Sequence, residues 1–71
     1  PAIGSKEYEI LKQIAKGKSN RDIAGSLLMS QRSLEYGLTN LFNKLGVKSR
    51  VEAAIKAKQL GFLNDADFMS P

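Results

Sequence analysis

Arg32, Tyr36, Thr39 and Asn43 recur at spacings of four, three and four within SQRSLEYGLTNLFNKLG, residues 30–46. At about 100° per residue this places them along one arc of a helix. Ser33 and Asn40 lie to one side of the arc, Glu35 to the other, and Lys44 further along. These side-chain types can read the edges of bases in a duplex. Arg forks onto guanine, Asn does the same to adenine, Thr meets a thymine methyl, and Tyr contacts phosphate or an apolar edge. Such an arc is also what an ordinary solvated helix face presents, so the chemistry depends on what positions it.

The other side of the same stretch carries Leu34, Leu38, Leu41, Phe42 and Leu45 in one apolar stripe. Ser30 is the expected N-cap of this third helix and Gly46 its C-terminal stop, with Val47 turning back inward. Before it, Leu28-Met29 reads as a short turn. A second helix starts at Ser19, where Ser19-Asn20-Arg21-Asp22 makes a capping box with Asp in place of Glu. Ile23, Ala24 and Leu27 form its inner face. Gly25 is a poor helix former, which signals either close packing or a helix boundary. Backbone N–H groups at the opening of this helix can take a phosphate, beside Asn20 and Arg21. Lys44, Lys48 and Arg50 are placed to flank a groove and hold phosphates by charge.

Two further helices complete the set. Ser5 is the expected cap of the first, with Glu7 and Glu9 in its first turn, Ile10, Leu11 and Ile14 facing inward, and Gly17 as its stop. Ser49 caps the fourth and Gly61 ends it. The fourth helix has two apolar sides. Ala53, Ala57 and Leu60 lie on one, and Val51 and Ile55 lie nearly opposite, with the Lys58 stem beside them and Ala54 at the margin. One side suffices for a core, so the second needs another explanation: a dimer contact, a contact with a missing domain, or simple exposed apolar residues. Residues 64–71 read as a polar tail with isolated Phe68 and Met69.

Composition narrows the function. The chain has 71 residues, enough for one small domain with a marginal core. It has no cysteine and no histidine, which removes a disulfide framework, a thiolate or imidazole zinc site, and the usual base of a Ser or Cys nucleophile. No cofactor is expected, and no enzyme. The net charge of +4 suits an acidic partner such as nucleic acid, although many soluble domains are as basic. No apolar run reaches membrane-spanning length and no signal-peptide pattern opens the chain, so no membrane partner is expected. A first residue of proline rather than methionine leads to the expectation of a fragment cut from a longer protein, or of a processed end.

The ordered set is helix, capped helix, short turn, capped helix, Gly stop, capped helix. Its segments KEYEILKQIAKGKSNRDIA and SQRSLEYGLTNLFNKLGVKSRVEAAIKA resemble the LuxR-type (GerE or FixJ/NarL-type) DNA-binding domain of bacterial transcription regulators. The resemblance runs from about Ile3 to Leu63. It implies an all-α, four-helix fold with a central helix-turn-helix and a C-terminal dimerisation helix. By position, Glu35, Tyr36 and Thr39 take base-reading sites; Ser33, Asn40 and Lys44 take backbone or groove-edge sites. Val51 and Ile55 take dimer contacts, with Ala54 and Lys58 beside them. Two positions depart from the family: Glu35 stands where Lys is common, and Gly37 where His is common. Glu35 beside DNA repels phosphate, but it can accept from a cytosine amino group or orient Arg32. The Arg-Ser-Leu-Glu-Tyr run is similar to that of the competence-type response regulators of Gram-positive bacteria.

The expectation is therefore a DNA-binding domain over residues 1–63 and a tail over 64–71. It would read duplex DNA through the major groove as a homodimer, in the bacterial cytoplasm. A missing N-terminal receiver or ligand-sensing domain and RNA polymerase are the other partners expected. A helical protein-interaction module and a sigma-factor-like promoter-recognition region are the alternatives.

Overall fold

The computed structural model describes residues 2–69. Four α-helices follow in order: α1 (Ser5–Ala15), α2 (Asn20–Ser26), α3 (Gln31–Leu45) and α4 (Arg50–Gln59). A short 3-10 turn (Asp65–Phe68) closes the described chain.

Three helices start by one local device. The hydroxyls of Ser19, Ser30 and Ser49 accept the backbone N–H of Asp22, Ser33 and Glu52, at 3.1, 3.0 and 3.2 Å. Each satisfies one of the N–H groups that a helix start leaves without a partner. The start of α1 differs from expectation. Its cap is Gly4 rather than Ser5, and the Gly4 N–H donates back to Glu7 Oε1 at 3.0 Å. A carboxylate three residues into the helix thereby satisfies the N-cap N–H, the returning half of a capping box, while glycine offers no side chain to accept from the first turn.

All four helices also end alike, with paired backbone bonds that reverse the chain. At α3, Gly46 N–H reaches Asn43 O and Val47 N–H reaches Phe42 O. At α2, Leu28 N–H reaches Gly25 O and Met29 N–H reaches Ala24 O. The motif needs a left-handed residue, and Gly17, Gly46 and Gly61 supply it after α1, α3 and α4 with φ of 77°, 70° and 85°. After α2 the position is held by Leu28, at φ 56°. Gly25, in the last turn of α2, has open space where a Cβ would stand, so close packing does not explain it.

The core gathers Ile10, Leu11 and Ile14 of α1, Ile23 and Ala24 of α2, and Leu34, Leu38, Leu41 and Leu45 of α3. The three alanines Ala53, Ala54 and Ala57 let α4 come close against α1 and α3. Leu60 was expected inward and is exposed, because α4 stops at Gln59 and Gly61 turns the chain. Leu63 fills the core in its place. The segment expected as a frayed tail folds as far as it is described. Asn64 and Asp67 cap each other at 2.9 and 3.3 Å, and the 3-10 turn packs on α1. Ser70 and Pro71 lie outside the described residues. No helix of the described residues is long and apolar enough to cross a membrane.

Candidate nucleic-acid interface

The leucine stripe fixes which side of α3 faces out. With Leu34, Leu38, Leu41 and Leu45 buried, Arg32, Ser33, Glu35, Tyr36, Thr39, Asn40, Asn43 and Lys44 are all exposed. Arg32, Glu35, Tyr36 and Thr39 line one shallow depression on this face. Tyr36 stands 62% exposed, a large aromatic that the described residues leave mostly uncovered. Among the described residues no ion pair joins Glu35 to Arg32, so both charges are available to a ligand. The Thr39 hydroxyl donates to Glu35 O at 3.0 Å. Its hydrogen is thus spent on the backbone, which leaves its methyl and an acceptor lone pair for contact. Ser33 is drawn into the cap of its own helix, its Oγ accepting from Ser30 Oγ at 3.0 Å.

Asn20 and Arg21 are exposed in the first turn of α2, and Lys48 is exposed in the loop before α4. Two cations expected to hold phosphate are already engaged within the fold. Lys44 Nζ lies 2.8 Å from Glu7 Oε1 and so clamps the start of α1 to the last turn of α3. That hydrogen bond, and next the one from Gly4 N–H, hold the Glu7 carboxyl below the usual carboxylate range, against a partial burial that raises it. Arg50 Nη2 donates to Lys18 O at 2.6 Å, tying the start of α4 to the loop before α2. Neither contact was read from the sequence. The partners are 37 and 32 residues apart, and only the acidic first turn of α1 hinted at one of them.

On α4, Val51 and Ile55 are 70% and 52% exposed. Ala54, grouped with them from the sequence, is buried in the chain's own core and is not open to a partner. Lys58 pairs with Asp65 and sits over the Phe68 ring, 6.0 Å from its centroid.

The sequence pattern of the family described as bacterial regulatory proteins, luxR family, matches residues 2–57. The chain belongs to this family. It is a luxR-family DNA-binding domain, with α2 and α3 as its helix-turn-helix. Among its relatives, the transcriptional regulatory protein ComA of Bacillus subtilis (strain 168) is 50% identical over 58 residues, covering 82% of this chain and 27% of ComA. The transcriptional regulatory protein YdfI of the same strain is 47% identical over 61 residues, covering 86% of this chain and 29% of YdfI. The oxygen regulatory protein NreC of Staphylococcus aureus (strain JH9) is 43% identical over 63 residues, covering 84% and 29%. The chain therefore spans less than a third of the length of these relatives. A solved structure, the DNA-binding domain of the response regulator ComA complexed with the anti-activator RapF, superposes with a TM-score of 0.78. It is 47% identical, and the match covers 80% of this chain and 98% of that one.

Proposed function

We propose that this chain is the output domain of a two-component response regulator that binds duplex DNA through the outward side of α3. The observation that carries the reading is that side itself. A rigid, leucine-anchored helix presents Arg32, Glu35, Tyr36, Thr39, Asn40 and Asn43 together, with an open depression among four of them. Arg32 and Asn43 suit guanine and adenine edges, Glu35 suits a cytosine amino group, the Thr39 methyl suits thymine, and Asn40 lies at the groove edge. Asn20, Arg21 and Lys48 contact phosphates and set the register. Ser33, Lys44 and Arg50 act one step back, by fixing the start and end of α3 and the adjoining loop. In the longer protein the chain follows a phosphorylated receiver domain, works in the bacterial cytoplasm, and pairs as a dimer through Val51 and Ile55. The apolar pair left open on α4 and the names of the relatives support this.

A backbone amide NMR titration with a short generic duplex at two salt concentrations tests it. Shifts centred on α3, Arg21 and Lys48 that weaken with salt are expected. No shift at low salt would refute DNA binding and move the function to α4 and a protein partner.

A further inference from the structure

The 3-10 turn lies beyond the residues that the family pattern matches, yet it meets the side of α4 that faces away from the core. Ile55 and Phe68 together line two adjoining depressions. One continues along Val51 and Ala54 to α1, and the other runs past Lys58, Gln59 and Asp65. Phe68 leaves Val51 and Ile55 uncovered, so the turn does not cap the apolar face. It adds a wall beside it. Lys58 holds that wall in place by pairing with Asp65 and lying over the Phe68 ring.

We propose that the C-terminal turn is part of a self-association surface, in which Phe68 and the Lys58 stem seat Val51 of a second copy of this chain. This rests on the pairing through α4 put forward above. At about 100° per residue, Val51 and Lys58 lie on one side of Ile55, and Glu52, Lys56 and Gln59 on the other. A two-fold axis near Ile55 runs the two α4 helices antiparallel and joins residues on the same side at opposite ends. On the first side, Val51 of each copy meets Lys58 and Phe68 of the other. On the second, Glu52 of each copy meets Gln59 and Lys56 of the other, so opposite charges face each other. The reversed polarity of the face, acidic at its start and basic at its end, makes it complementary to itself. A partner with one sign of charge along its length would not match it.

The absence of cysteine in the chain permits a clean test, since every disulfide formed is an engineered one. Ile55→Cys chains are oxidised alone, and Val51→Cys chains are oxidised together with Phe68→Cys chains. Circular dichroism confirms that each variant is helical before oxidation. The expected result is a covalent Ile55→Cys homodimer, and mixed Val51→Cys/Phe68→Cys dimers in several-fold excess over either homodimer. Efficient Ile55→Cys coupling without the mixed product would overturn the role of the turn and leave the pairing standing. No coupling in either experiment would overturn the pairing as well and assign the face to a different partner.

Discussion

Replacing Leu28 by glycine should stabilise this domain. Leu28 occupies the left-handed position that closes α2, with φ 56°, where the other three helices use glycine. Holding an L-residue there costs about 1–2 kcal/mol. Its side chain offers little in return, being 94% exposed, so truncation loses almost no buried apolar area. Glycine brings a cost of its own, about 0.5–1 kcal/mol, because it loses more backbone freedom on folding. The difference is a net gain of about 0.5–1 kcal/mol for Leu28→Gly. For a domain of this size the gain raises Tm by about 2–8 °C. Leu28→Asn should fall between glycine and the native residue, because Asn visits the left-handed region readily. Leu28→Val should destabilise, since a β-branched side chain fits worst there. Thermal unfolding followed by circular dichroism ranks the series. A Leu28→Gly chain that melts below the native one would refute the reasoning, and would mean that the leucine makes contacts its exposure denies.

The Glu7 carboxyl is held below its ordinary range by Lys44 and the Gly4 N–H. Its contribution to stability is therefore complete above about pH 4.5, the unfolded value, and is lost as pH falls through the lower folded value. Urea midpoints measured down the acid range should converge for native and Glu7→Gln chains, having differed near neutrality; parallel curves would remove the pair from the stability of the fold. Lys48→Ala should lower the salt slope of DNA binding by about one unit, whereas Lys44→Met, its ammonium already paired, should lower Tm and leave the slope in place. A fluorescence-anisotropy salt series separates them, and a smaller slope for Lys44→Met would return that residue to the phosphate contacts. Ser30→Ala, which removes the cap that accepts Ser33 N–H, should cost about 1 kcal/mol; an unchanged urea midpoint would show that the cap is dispensable. Ile55→Glu should abolish self-association in sedimentation equilibrium with helicity intact, and a variant that still pairs would exclude Ile55 from the contact.

What the sequence by itself determined is whatever residues within about four positions settle among themselves. The serine caps of α2, α3 and α4, the glycine ends after α1, α3 and α4, and the leucine stripe of α3 all follow from short-range hydrogen bonding and helical periodicity. These are sufficient to orient α3 and to say which of its side chains face outward. Some features needed the packed fold. Leu28 carries no signal of left-handed backbone, yet the reversal between α2 and α3 places it there. Lys44 and Arg50 read as free phosphate-binding cations, because nothing local shows that α1 delivers Glu7 to one and that the loop before α2 delivers the Lys18 carbonyl to the other. In residues 64–69 the spacing of Asn64 and Asp67 was a local capping signal that the polar composition hid, whereas the Lys58–Asp65 pair forms only after Gly61 reverses the chain. Local backbone chemistry chooses the helices, and the geometry of their packing decides which charges remain free to act.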